Sequence, residues 1–291
     1  MEYVFSAVTD VGISKKVNQD GLYASVLRTP NGKVMLAVMC DGMGGLAQGE
    51  VASSVLVNSF ENWFNCNISI WTDKSAKDKF IVEQWKEVVN KANDKILTYG
   101  QNNNFRLGTT ITALLITDSR YYLMNIGDTR AYVLKDGLNQ LSVDHTLIEH
   151  QVRLGNMTRE QADNSSIRNI ITRCVGVNSE VYPDFFFGAA KKDAVYLLCT
   201  DGFRHEISED EIMQKLSLEK CQSQEDIHDR LNELVELNKQ RKEKDNISVL
   251  AIATKDDEES TEPVDNGDDD VTVQLFELED TIKFIHSDIN L

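Results

Sequence analysis

VMLAVMCDGMGG, residues Val34–Gly45, runs seven apolar residues into an aspartate and a glycine-rich turn. The run reads as a β-strand by length and composition. Past the glycines, Ala52, Leu56, Phe60 and Phe64 recur at four-residue spacing, so a helix over Gly49–Phe64 follows the turn. A strand that stops on an aspartate and a flexible turn is the unit repeated elsewhere in the chain.

Working outward, further strands are expected at Ile111–Ile116, Tyr121–Ile126, Val195–Cys199 and Ile247–Ala253. Shorter ones are expected at Tyr3–Val8, Leu22–Leu27 and Ala131–Leu134, from their β-branched and aromatic content. Ile81, Trp85, Val88, Ala92, Ile96 and Tyr99 mark a second helix, and Ile227, Leu231, Leu234, Val235 and Asn238 a third. Strands come in adjacent pairs rather than in βαβ alternation. That order predicts antiparallel sheets covered by helices, within one α+β domain over residues 1–254. His145–Arg168 is polar and weakly helical, which suits a surface flap. Residues 255–270 read as a disordered acidic linker, and 271–291 as a C-terminal segment able to dock. Within it Val271–Leu278 alternates enough to pair as a strand.

Composition bounds the function. With 291 residues and 41% apolar residues the chain can bury a sizeable core. No apolar run approaches the ~20 residues of a membrane helix, and the first ten lack a signal-peptide pattern. A cytoplasmic location is expected. Five scattered cysteines without a CxxC pair read as reduced structural thiols. From Lys255 onward there are 13 acidic and two basic residues, so −11 of the net −17 lies in the tail and −6 in the rest. Neither part suits nucleic acid.

The placement of the acids carries the chemistry. Asp41 follows one strand and Asp201 another, in LLCTDGF; Asp20 precedes a strand in NQDGLY, and Asp245 precedes one in KDNISV. In antiparallel sheets a strand's start lies beside its neighbour's end, so the four carboxylates can share one edge. Asp128, in NIGDTRAY, can join them. Taken singly, Asp20, Asp128, Asp201 and Asp245 are better read as turn aspartates, and only DGMGG is unusual on its own. Together, ionised carboxylates need a compensating charge. Oxygen-only donors point to magnesium or manganese, and without HExxH or CxxC zinc is disfavoured. The glycines around Gly42 let backbone carbonyls approach an ion.

TDVG (Thr9–Gly12), NQD (Asn18–Asp20), DGMGG, LGTT (Leu107–Thr110), GDTRAY (Gly127–Tyr132), LSVDHT (Leu141–Thr146), NIITRCVG (Asn169–Gly176), LLCTDGF and DNISV occur in this order. The set resembles the metal-dependent serine/threonine protein phosphatases of type 2C, in their bacterial branch. The resemblance implies a four-layer αββα sandwich with a small flap insertion. It assigns Asp41 to bridge two ions, manganese or magnesium, with the Gly42 carbonyl on the second ion. Asp201 and Asp245 hold the first, and Asp20 acts through bound water. A third, weaker ion near the flap matches Asp128 with Asp201. Water held between two cations loses a proton near neutral pH and attacks phosphorus in line.

Two departures stand out. Where the family places a phosphate-gripping arginine, this chain has Lys15, which keeps the charge without the bidentate fork. Catalysis is thereby assigned to Asp41, Lys15 and Asp20, with weaker phosphate binding. Eukaryotic members carry a histidine proposed as general acid where Met43 stands. His145 is a candidate proton donor by residue type, with a structural role as the competing reading, and Thr109 and Thr110 are expected to support the carboxylates. The implied partners are phosphorylated proteins, with a cognate serine/threonine kinase and its substrates; a monomer is expected. A phosphoprotein-binding module without turnover is the competing class. Lys15 favours it, while retention of Asp20, Asp41, Asp201 and Asp245 opposes it. The tail is read either as a partner-binding segment, with Thr261, Thr272 and Thr281 open to phosphorylation, or as a solubilising extension.

Overall fold

The computed structural model describes residues 1–29, 32–43, 48–67, 78–163, 165, 167, 169–256 and 277–285. In chain order the strands are β1 (Glu2–Asp10), β2 (Gly21–Thr29), β3 (Gly32–Cys40), β4 (Ile111–Ile116), β5 (Arg120–Ile126), β6 (Arg130–Leu134), β7 (Leu138–Gln140), β8 (Asp184–Ala189), β9 (Ala194–Cys199), β10 (Ile247–Lys255) and β11 (Glu277–Phe284). The helices are α1 (Gly49–Cys66), α2 (Asp78–Asn103), α3 (Leu147–Arg153), α4 (Arg159–Asp163), α5 (Asp201–Arg204), α6 (Glu209–Lys215) and α7 (Gln224–Gln240).

Two antiparallel sheets face each other. One has the order β1-β10-β9-β6-β7, the other β11-β2-β3-β4-β5-β8. Their facing sides bury Leu22, Met35, Met39, Leu114, Leu123, Leu198, Leu250 and Ile252. On the outer side of the second sheet, α1 and α2 supply Phe60, Trp63 and Trp85, with Trp85 edge-on to the other two rings at 5.6 Å. On the outer side of the first, α7 buries Ile227, Leu231, Leu234 and Val235. The architecture is α+β, two sheets flanked by helices. β3 is apolar from Val34 to Cys40 because both of its faces are covered.

Local chemistry starts two of these helices. Ser208 with Glu211 and Ser223 with Asp226 form reciprocal capping boxes at the N-termini of α6 and α7. Neither α6 nor the short α5 stands out in the sequence pattern, since a helix of four to seven residues spans too few turns to display a period. β8 is equally silent in the sequence. Its three consecutive phenylalanines break alternation, and at the sheet edge Phe187 stays 48% exposed. Within the expected flap, α3 and α4 pack on each other. Of that region, residues 164, 166 and 168 lie outside the described residues.

The C-terminal segment contributes β11; of the strand expected at Val271–Leu278, residues 271–276 lie outside the described residues. Residues 257–276, including most of the acidic linker with Thr261 and Thr272, lie outside the described residues. β11 pairs antiparallel with β2, Phe284 opposite Leu22. Ile282 and Phe284 pack into the layer between the sheets, while Thr281 Oγ1 meets Ser25 Oγ at 2.9 Å and Lys283 Nζ meets Glu61 of α1 at 2.7 Å. Phe284→Ala is therefore expected to lower stability by about 1–3 kcal/mol, below the cost at a fully buried site. Chemical denaturation measures it, and an unchanged midpoint would mean the strand adds nothing to the fold.

The two sheets are fastened at the end where β1 begins. The Met1 ammonium meets Asp118 at 3.0 Å, Tyr3 donates its hydroxyl to the Ile116 carbonyl at 3.1 Å, and Lys33 pairs with Glu2 at 2.5 Å.

Candidate active site

At the opposite end the chain leaves both sheets through acidic residues, and the register explains why they meet. Gly21 pairs with Cys40, so Asp20 and Asp41 sit one residue beyond the same rung. Cys199 pairs with both Arg130 and Val249, and Ile247 with Asp10. Asp128, Asp201 and Asp245 each lie two residues outside those strand ends. A two-residue period cannot tolerate a slipped register in buried strands, so the hydrophobic pattern fixes where the acids stand.

Asp20 is buried. Its Oδ2 accepts from Ser248 at 2.5 Å and from Thr200 at 3.3 Å, while its Oδ1 has no hydrogen-bond partner. Removal from water pushes its pKa from the usual 3.8 to about 7; the charges of Asp201 and Asp245 add to this and the Ser248 hydrogen bond opposes it. Asp128, 2% exposed, also has an unpartnered Oδ1. Burial raises it to about 7, with Asp201 adding to the shift and Arg204 countering it. Asp41 is raised well above the carboxylate range by desolvation and then by Asp20, Asp201, Asp128 and Asp245. These shifts tie Asp20, Asp41, Asp128, Asp201 and Asp245 into one electrostatic cluster.

Backbone and hydroxyl contacts hold the acids in place. Asp41 donates its N–H to Thr110 Oγ1 at 3.0 Å, and its carbonyl accepts from Thr109 Oγ1 at 2.8 Å. The two threonines thus support the Asp41 backbone. Gly42 is pressed between strands: a Cβ there would lie 2.4 Å from the Gln19 carbonyl, which excludes any side chain. Gly44 and Gly45 fall outside the described residues. Asn246 accepts from the Gln19 N–H at 3.0 Å and donates to the Val11 and Val17 carbonyls, pinning the loop that carries Lys15.

Lys15 reaches the cluster. Its ammonium lies 2.7 Å from Asp245 Oδ1. Burial works against its charge, but the Asp245 pair and the fields of Asp41 and Asp201 outweigh it and raise the pKa. His145 is engaged on both ring nitrogens. Nδ1 accepts from the Gly127 N–H at 3.2 Å, which leaves Nε2 to donate to Asp184 at 3.1 Å. Burial lowers its pKa. This geometry favours the structural reading over a proton donor.

Several contributors carry little signal in the sequence. Ser248 and Asn246 lie inside the DNISV motif, where the aspartate alone points to chemistry. Arg204 and His205 follow the Asp201 motif directly. His205 sits 3.6 Å from Asp201 and 3.4 Å from Glu243. Their only signal is position in a motif, readable once the motif is known to bend round an acidic cluster.

The donor set fits hard divalent cations. It is all oxygen, and Asp20 and Asp128 each bury an oxygen that nothing among the described residues satisfies. Among the described residues no three side chains form a ready-made cage around one point.

Residues 13–245 match the protein phosphatase 2C family. The chain belongs to that family of enzymes. It is 28% identical over 250 residues to a protein phosphatase 2C-type protein of Streptococcus pyogenes, covering 85% of this chain and 96% of that one. Its fold is similar to serine/threonine phosphatase Stp1 of Staphylococcus aureus, with a TM-score of 0.75, 26% identity, and 88% and 96% of the two chains covered. It is also similar to the catalytic domain of the serine/threonine phosphatase PstP, solved in complex with two manganese ions: TM-score 0.69, 28% identity, 87% and 99% covered.

Proposed function

We propose that this chain hydrolyses phosphoserine and phosphothreonine in proteins with two divalent cations, manganese or magnesium, and reverses a bacterial serine/threonine kinase in the cytoplasm as a monomer. The observation that carries the reading is the gathering of Asp20, Asp41, Asp201 and Asp245 at one sheet end, with a lysine against them. Asp41, Asp201, Asp245 and the Gly42 carbonyl would hold the ions, and Asp20 would act on them through water. When bound, the ions would supply positive charge for the phosphoryl oxygens and acidify a water for attack. No cysteine is needed, since the buried thiols Cys40 and Cys199 are pushed up in pKa by desolvation and stay protonated. Among the described residues no helix is long and apolar enough to cross a membrane.

Within this reading Asp41 faces four like-charged neighbours, Asp20, Asp201, Asp128 and Asp245, a repulsion that a cation would relieve. Lys15, on the rim, would bind the incoming phosphate by charge. The testing experiment follows hydrolysis of a phosphothreonine peptide with manganese, magnesium or chelator. Turnover that requires metal is expected; none with any metal, from a folded protein, would move the chain to phosphoprotein binding.

Lys15→Ala is expected to raise KM for that peptide about 10- to 100-fold, the equivalent of one charge-assisted hydrogen bond, with a smaller change in kcat. Steady-state kinetics at saturating manganese reads the split. Unaltered KM would remove Lys15 from substrate binding and leave it as a partner of Asp245 alone.

A further inference from the structure

Arg204 is the one basic side chain that α5 carries into the acidic cluster. The helix begins at Asp201, so Arg204 stands one turn on, over the same side. Its Nη2 donates to the Asp128 carbonyl at 3.2 Å and lies 3.5 Å from Asp128 Oδ2 and 3.7 Å from Asp144 Oδ2. The side chain is 16% exposed, and its Nε is buried without a partner. Arg130, the neighbouring arginine, is already committed: three of its bonds go to Asp144 and one to the Tyr132 hydroxyl. The cation that answers Asp128 is therefore Arg204.

We propose that Arg204 takes the electrostatic place of a third ion at Asp128 and Asp201, so that this enzyme operates with two. The inference rests on the two-ion reading and refines it. A guanidinium keeps its charge at every working pH. Placed within 4 Å of Asp128, it offsets charge on that carboxylate and repels a divalent ion arriving at the same oxygens. It lowers the net negative charge that would draw an ion there. A lysine at the same position would act alike through its charge, whereas an amide would keep hydrogen-bond donors and lose the repulsion.

The test is a manganese titration by calorimetry of the metal-stripped full chain, run on the parent protein, Arg204→Gln, Arg204→Lys, and Arg204→Gln combined with Asp128→Asn. The parent and Arg204→Lys are expected to take two ions. Arg204→Gln is expected to take a third, bound at least tenfold tighter than any third event in the parent, and Asp128→Asn is expected to abolish it. Equal stoichiometry and affinities in the parent and Arg204→Gln would overturn the inference, as would a gained ion that survives Asp128→Asn. A parent protein that binds fewer than two ions would instead overturn the two-ion reading itself.

Discussion

Asp41→Ala is expected to lower kcat/KM for a phosphothreonine peptide on the order of 10³-fold or more, the scale of losing a group that organises charge at the reacting centre. The same substitution is expected to raise the stability of the metal-stripped protein. Asp41 is held above its ordinary pKa by desolvation and four neighbouring carboxylates, so its removal relieves repulsion. Activity and stability therefore move in opposite directions. That pairing separates a lost ligand from a damaged fold, since an unfolded variant would lose both. A variant that melts lower than the parent in chelator, or that keeps more than a tenth of the activity, would end the assignment of Asp41 as the central carboxylate.

With chelator present, stability is expected to fall as pH rises from about 4 to 7. Asp20 and Asp128 have folded-state pKa values of about 7 against about 3.8 in the unfolded chain. Between those values the folded state holds protons that the unfolded state has released, so raising the pH favours unfolding. For one group, a pKa gap of that size between the two states corresponds to a loss on the order of 4 kcal/mol. The two groups are not additive, because both feel Asp201. Manganese is expected to reverse the trend by offsetting the charge of the carboxylates around Asp41, with midpoints rising most near pH 8. A flat denaturation midpoint across this range in chelator would show that the cluster is not strained.

Much of this is legible in the order of residues. β3, β4, β5, β9 and β10 are runs of apolar residues long enough to declare themselves, and the acids at their ends are visible beside them. The antiparallel rule then brings Asp20 to Asp41 without further information. What the order does not give is lateral contact. Ser248 and Thr200 reach Asp20 from the other sheet, and Arg204 reaches Asp128 from a four-residue helix that leaves no periodic trace. β8 hides because an edge strand needs no alternation. Ile282 and Phe284 of β11 enter the space between the sheets, a contact that alternation alone does not announce. Contacts of that kind are tertiary, and no local pattern encodes them.

The fastening of the two sheets is lopsided, and this has a mechanical consequence. At the far end opposite charges join them: the Met1 ammonium to Asp118, and Lys33 to Glu2. At the near end the bonds across the gap include those from Ser248 and Thr200 to Asp20, a carboxylate held among like charges. The sandwich resembles a clothes-peg, sprung shut at one end with its jaws biased apart at the other. Protons or cations close the jaws; stripping either lets them ease open. Amide exchange in the stripped protein should then run faster around Asp128 and Asp201 than around Ile116 and Tyr3. The reactive end of the stripped molecule is expected to be the more compliant one, because the very groups that serve its chemistry repel one another.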